Sequence, residues 1–435
     1  MLLIYLKQLS PRSRYLFKTA IRTFLRLDDF KFSEDEEEFK AFNGAKFSYG
    51  KKPFSDELFF EAFGLLESRG ISEISLNPKE YQGVPTLFQV SSGALPYDPF
   101  AASFYMLSRY EEYLPHLRDQ YDRFTASESL AKKHDFLQVA VVDRWLLQVK
   151  ELLQQHFPDL KFGKRKYSYL PTLDIDNAYA YKEKGFIRIM GSIGRNILKL
   201  DFKQLRNQLA VVFGNRKDPF DTFNYQLNVQ KKYHLRPIYF FLLADYGLND
   251  KNLSHENRHF QSLIKSIADY AEVGIHPSYG SNVKKEKVVR EIKRLQRIVK
   301  RDIYRSRQHF LKLSLPETYR NLIEADIRED YTMGFAGDLG FRAGTCTPYP
   351  FYDLDEEVEC KLTIYPFQMM EATLKYYLKV DAQHALSELK PLIDEVKAVN
   401  GTFVSLWHNE SLSEEDGWEG WREVYEGMVE YAVQN

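Results

Sequence analysis

Hydrophobic and polar positions alternate along most of this chain in two rhythms. Short runs rich in β-branched and aromatic residues occur near 167–174, 237–243, 272–276, 303–309, 327–332, 341–344, 361–365 and 402–407, and predict buried strands. Between them, apolar residues three and four apart predict amphipathic helices over 178–213, 221–233, 256–270, 284–301, 317–325, 382–399 and 418–432. The first of these helices should break at Gly191 and Gly194. Strand–helix alternation of this kind argues for parallel strands joined by crossover helices, in a barrel or an open sheet. No internal repeat or low-complexity tract interrupts it.

The first 160 residues keep a different rhythm and read as a smaller α/β unit. The opening Met1-Leu-Leu-Ile-Tyr-Leu-Lys7 is apolar for six residues with no basic stretch ahead, so it reads as an edge strand and not as a signal peptide. A basic amphipathic helix over 11–26 and an acidic surface run from Glu34 to Glu38 follow. Strand-like pieces come next at Phe47–Tyr49 and Thr86–Val90. Leu95-Pro-Tyr-Asp-Pro-Phe100 makes a turn and starts a helix expected to hold Ser108-Arg-Tyr-Glu-Glu-Tyr113, where Arg109 and Glu112 are spaced to pair. Asp122-Arg-Phe124 is a second charged cluster. The polar, basic link Lys161-Phe-Gly-Lys-Arg-Lys166 then divides the chain into domains 1–160 and 165–435, each expected to have its own hydrophobic core.

Composition narrows the function classes. With 435 residues, 44% hydrophobic and 15% aromatic, there is ample material for large cores. Sixty Lys and Arg nearly cancel 61 Asp and Glu, for a net charge of -1, which disfavours non-specific nucleic-acid binding. The two cysteines, Cys346 and Cys360, exclude a disulfide framework and a cysteine-based zinc ribbon. No run approaches the roughly 20 apolar residues that span a bilayer. A cytoplasmic protein without a transmembrane segment is expected. The stretch 182–217, where Lys and Arg alternate with Ile, Leu, Met and Phe, reads either as a solvated helix face or as a peripheral contact with anionic lipid.

Four segments carry the candidate chemistry: Thr172-Leu-Asp-Ile-Asp-Asn177, Gly274-Ile-His-Pro-Ser278, Ser306-Arg-Gln-His309 and Ser405-Leu-Trp-His-Asn409. Each sets an Asp, His or Arg at the end of an apolar run, and in a β/α barrel the strand ends converge on one mouth. Asp174 and Asp176 are two apart and share a face. Two such close carboxylates call for a cation or a shared proton, although an isolated Asp-x-Asp can also cap a helix. His276 is of a type that commonly ligates zinc, Arg307 can hold a carboxylate ionised, and His408 ends the last strand where it can protonate a leaving group.

From about residue 165 onward the chain resembles the NodB-like polysaccharide deacetylases, and in particular a bacterial branch with an additional N-terminal α/β domain. The resemblance implies a distorted (β/α)7 barrel and metal-dependent removal of an N-acetyl group from an amino-sugar glycan or precursor. It implies Asp174 as base toward a metal-bound water, Asp176 and His276 as ligands to a divalent metal such as zinc, Arg307 steering Asp174, and His408 as acid. Asp330-Tyr-Thr-Met-Gly334 and Gly340-Phe-Arg-Ala-Gly344 resemble the fifth and sixth strands, with Arg342 lining the pocket. Ser278, Tyr279, Trp407 and Asn409 are expected along it as well. The family's second metal histidine, four positions after the first, is Gly280 here. His309 is then the favoured third ligand, Ser281 an alternative through its hydroxyl. Loss of the metal would leave a catalytically silent glycan-binding or assembly protein. The partners implied are an amino-sugar oligosaccharide or a lipid-linked sugar.

Overall fold

A computed structural model describes residues 1–200, 202–282 and 284–434. The N-terminal part is built on a parallel sheet. Strand β1 (Leu2–Leu6) pairs with β2 (Phe30–Ser33) on one side and with β3 (Ala45–Gly50) on the other, and β4 (Leu58–Glu61) adds to β3. All five residues of β1 are buried, as befits a parallel strand covered on both faces. The opening run is therefore an interior strand and not the edge strand expected. Ser10 caps the following helix, Pro11–Lys18, by accepting from the Ser13 amide at 3.0 Å, and the chain continues as one π-helical stretch, Thr19–Phe24. Strands β5 (Lys79–Tyr81) and β6 (Val84–Thr86) form a separate antiparallel pair.

The second sheet takes all its strands from after residue 167. They are β7 (Ser168–Ile175), β8 (Ile238–Phe241), β9 (Glu272–Ile275), β10 (Arg305–Ser306), β11 (Glu329–Asp330), β12 (Tyr349–Asp353), β13 (Val358–Ile364), β14 (Met369–Met370) and β15 (Thr402–His408). The hydrogen-bonded order is β12-β13-β11-β10-β9-β8-β7-β15-β14, parallel except for the β12–β13 pair. Alternation along β8 and β15 sends Ile238, Phe240, Val404 and Leu406 to one face, where they cluster with Tyr331, Phe367 and Met370. Tyr331 and Met370 flank strands six places apart in the ladder, a span of about 29 Å if the sheet were flat. The sheet therefore curls around this cluster, while Leu173, Ile175, Tyr239, Phe241 and Trp407 face the helices outside.

Several expected elements differ. No strand forms over 341–344; those residues lie in turns and loops, and β12 follows instead. The expected long helix is two, Phe186–Leu198 and Phe202–Val212, with a turn at 199–200 after the first, so Gly191 and Gly194 sit inside a helix. Asp201 and the side chain of Arg195, both in the basic stretch 182–217, lie outside the described residues. The helix Pro99–Leu107 stops before Arg109, whose φ of 54° is left-handed and turns the chain.

The separate cores expected on either side of 161–166 do not form. One cluster of buried side chains runs from Leu2 to Ala432 through both parts. Glu112 of the N-terminal part pairs with Arg109 at 2.8 Å and with Arg342 at 2.6 Å, and all three are buried. Buried Asp143 accepts from Thr345, Thr347 and Arg165. The Phe341 amide donates to the Leu137 carbonyl at 2.8 Å, and a Cβ on Gly340 (φ +131°) would meet that carbonyl at 2.3 Å. Only glycine allows so close an approach.

Candidate functional site

The carboxyl ends of β7, β9, β10 and β15 bring the polar residues of the four segments together. In β7, Thr172 and Asp174 point the same way, and Asp174 lies in register with His408 of β15. Asp176 follows one residue beyond the strand, His276 follows β9, Arg307 and His309 follow β10, and His408 closes β15. Arg307 is fully buried. It donates to Asp174 Oδ1 at 3.0 Å, to Thr172 Oγ1 at 2.7 Å and, through Nε, to the Tyr331 carbonyl at 2.9 Å. Its guanidinium also lies over the Phe240 ring at 4.8 Å. The enclosed guanidinium fixes the orientation of the paired carboxylate through charge-assisted hydrogen bonding.

The three histidines are set in the same way. His276 Nδ1 lies 2.5 Å from the Arg307 carbonyl, His309 Nδ1 lies 2.8 Å from Asp250 Oδ1, and His408 Nδ1 lies 2.7 Å from Glu371 Oε1. An oxygen acceptor at each Nδ1 requires the proton there, which leaves Nε2 to face the site. His276 Nε2 is 3.1 Å from Asp176 Oδ1 and 3.6 Å from Asp174 Oδ2. His309 Nε2 is 3.3 Å and His408 Nε2 3.9 Å from Asp176 Oδ2.

Asp176, His276 and His309 offer ligand atoms that all lie within 4.8 Å of one another. Two ligands about 2.1 Å from a tetrahedral ion stand about 3.4 Å apart, close to the 3.1 and 3.3 Å seen here. Asp176 Oδ1 is buried with no hydrogen bond to it, which is the kind of orphaned acceptor a cation satisfies. The donor set, two imidazoles and a carboxylate, suits zinc or a similar divalent ion. These residues fit a metal. Ser281, the alternative third ligand, instead donates to the Ser278 carbonyl at 2.7 Å.

Electrostatics follow from this crowding. Burial opposes ionisation of Asp176, but His309 and then His276 outweigh it and hold the carboxyl well below the usual range. Burial likewise opposes charge on His309, yet Asp176 and Asp250 raise its pKa to about 9. For His408 burial is outweighed by Glu371, with Asp176 and Asp174 adding, and the pKa is raised well above the ordinary histidine value.

These groups floor a cavity of ≈ 230 Å³. Tyr376, Tyr377 and Trp418 form an aromatic wall with Phe310, and Met370 and Leu406 line the depth beside His408. Arg123, from the N-terminal part, reaches the rim. Five residues expected along the pocket are not among those lining it. Arg342 is buried against Glu112 and the Gly334 carbonyl. Trp407 points outward between Tyr425 and Trp421, because alternation on β15 gives the inner face to Leu406 and His408. Ser278 is bonded to Glu291, Asn409 ties the Asn177 and Phe220 carbonyls, and Tyr279 packs behind Phe310. Glu371, Asp250 and the aromatic wall were missed in the sequence, and Arg123 stood out only as part of the charged cluster Asp122-Arg-Phe124. Of those missed, Glu371 alone carried a signal, since it ends the apolar run Phe367-Gln-Met-Met-Glu371 as the other site residues end theirs.

A family of unknown function (DUF7033) matches residues 2–158. No curated protein matches the chain. Among solved structures, a Mycobacterium smegmatis protein assigned as a polysaccharide deacetylase is similar at 13% identity and a TM-score of 0.40, over 63% of this chain and 86% of that one. A CE4 family pseudoenzyme from Bacillus anthracis is similar at 10% identity and a TM-score of 0.30, over 61% of this chain. The chain spans 61% of the length of that pseudoenzyme. A polysaccharide deacetylase from Bacillus cereus is similar at 12% identity and a TM-score of 0.28, over 60% of this chain and 89% of that one. Likenesses this remote leave the function to be read from the site itself.

Proposed function

We propose that this protein is a metal-dependent hydrolase that removes an N-acetyl group from an amino sugar, built on a NodB-like β/α barrel that occupies residues 165–435. The observation that carries the reading is the convergence of three candidate ligands, Asp176, His276 and His309, beside an Arg307-paired carboxylate and a Glu371-paired imidazole. A divalent metal held by the three ligands would supply Lewis-acid activation of the acetyl carbonyl and of the attacking water.

The chain's own residues account for the protons. Asp174 has one oxygen engaged by Arg307 and turns the other toward the cavity, 3.6 Å from His276 Nε2, so it is placed to take a proton from water. His408 is charged through Glu371 and presents Nε2–H 3.9 Å from Asp176 Oδ2. From there it delivers a proton to the amide nitrogen as the C–N bond breaks, giving acetate and a free amine. The aromatic wall supplies flat faces of the kind that stack on sugar rings, and the cavity's size suits a single sugar residue with its acetyl group. Acetate release from chitooligosaccharides and nucleotide-sugar substrates tests the reading. Wild-type protein with zinc should turn over, and D174N should bind zinc normally but lose about 10²–10⁴-fold in rate. Equal rates in D174N and wild type would remove Asp174 from the mechanism.

The helices Phe186–Leu198 and Phe202–Val212 leave β7 at the same end as the site and leave Leu198, Leu200, Phe202 and Phe213 exposed among lysines and arginines. That combination supports contact with an anionic lipid surface, and with it a lipid-linked sugar as substrate. Among the described residues no helix is long and apolar enough to cross a membrane. The protein should co-sediment with phosphatidylglycerol-containing vesicles and not with phosphatidylcholine alone, and L198S/F202S should abolish it. Equal sedimentation with both vesicle types would contradict the lipid contact.

A further inference from the structure

We infer that the turn 118–124 of the N-terminal part positions His309, with Arg123 as the positioning residue. The inference rests on the metal site proposed above. It begins with backbone conformation. Immediately after His309, Phe310 has φ 60° and ψ 8°, and Leu311 has φ 55°. Two consecutive non-glycine residues in the left-handed region are uncommon and persist only where their surroundings hold them.

On the inner side, Asp250 engages His309 Nδ1, and Asn282 donates to the Lys312 carbonyl at 2.7 Å. Beside Tyr279, which packs on Phe310 at 5.6 Å, the outer side is held from the other part of the chain. Arg123 Nη1 donates to the Phe310 carbonyl at 3.0 Å, and its Nη2 donates to the Tyr377 hydroxyl at 3.0 Å. The Tyr121 and Phe310 rings pack at 4.9 Å, Asp122 pairs with Lys312 at 3.2 Å, and Arg118 donates to Ser314 Oγ at 3.0 Å.

The turn is closed by hydrogen bonds of its own. Asp119 Oδ1 accepts from the Tyr121 and Arg123 amides at 2.9 and 3.1 Å, its other oxygen accepts Arg123 Nε at 2.8 Å, and Arg118 bridges Phe124. The buried guanidinium thus spends all three nitrogens on three different groups. A planar fork can do this where an ammonium cannot. It fixes the carbonyl next to His309 and one tyrosine of the cavity wall with the same side chain. His309 Nε2 stands 3.3 Å from Asp176 Oδ2 only while that turn is kept, so the third corner of the metal site depends on a residue about 190 positions earlier.

The test compares R123A with R144A in the full-length chain. Arg144 also joins the two parts, through Glu395 at 2.7 Å, but away from the cavity, so it reports loss of a cross-contact without loss of the turn. Hydrogen–deuterium exchange of peptides covering 307–313 and zinc affinity by chelator competition are measured in each. R123A should speed exchange in 307–313 and weaken zinc about 10–100-fold, the usual effect of removing a group that orients a ligand. R144A should change neither. Should R123A fail to fold, R123K carries the same comparison, because it keeps the charge without the fork. Unchanged exchange and affinity in the arginine variant, or equal changes in R144A, would overturn the inference. If wild-type protein takes up no zinc, the metal reading fails by itself, and the exchange rates still decide whether Arg123 holds the turn.

Discussion

His276, His309 and His408 each have Nδ1 occupied by a different kind of partner, a backbone carbonyl, an aspartate and a glutamate. Each acceptor holds its ring with Nε2 toward the site, the orientation the proposed ligands need, and Glu371 also stabilises the charged form of His408, the proposed proton donor. Glu371 is fully buried and its second oxygen is unpartnered, so most of its electrostatic effect falls on His408. E371Q removes that negative charge and lowers the His408 pKa. The acid form is then lost at a lower pH, and the alkaline limb of the rate profile for acetate release should move down. An unmoved limb would mean that His408 is not the donor. Asp174, Asp176, His276, Arg307, His309 and His408 were all legible in the sequence, because each ends a recognisable strand. Glu371 follows a strand of two methionines, too short and too weakly β-forming to stand out. Asp250 sits in the polar loop Gly247-Leu-Asn-Asp250, where nothing distinguishes it from a solvated turn.

Elements with strong periodicity formed nearly where expected, and those fixed by distant contacts did not. The helix Lys285–Val299 lies within the expected 284–301, whereas the strand expected at 341–344 is replaced by turns, because the Phe341 amide and Gly340 are taken up by Leu137. Local pattern cannot report a contact with residues two hundred positions away. The same helix also buries Glu291, which accepts from the Ser278 amide and hydroxyl at 2.9 and 2.6 Å and anchors the loop after His276. Burial raises its pKa from 4.5 to about 7. Because the folded value lies above the unfolded one, the native state binds the extra proton. Its contribution to stability is therefore greatest below about pH 4.5, falls as pH rises to about 7 and is level above. The full effect is at most about 3 kcal/mol. Urea unfolding at pH 5 and pH 8 should show a smaller loss between the two for E291Q than for wild type. An identical loss would show that Glu291 does not carry the titration.

At the scale of the whole molecule, two larger sheets and a two-stranded pair share one core, and the candidate site lies at the carboxyl ends of the second sheet's strands. The link at 161–166 was visible as a polar, basic stretch, but the sharing of the core was not, since burial of Asp143 and of the Arg109–Glu112–Arg342 cluster depends on both parts being in place. This arrangement lets the N-terminal part supply Arg123 to the rim while the strand ends of the second sheet supply the floor. The central claim, that Asp176, His276 and His309 together hold a metal, is tested most directly by zinc titration of the wild-type protein beside D176A and H309A. One zinc per chain in wild type is predicted, with binding abolished in D176A and weakened strongly in H309A. No zinc uptake by wild type, or H309A binding as tightly as wild type, would contradict it.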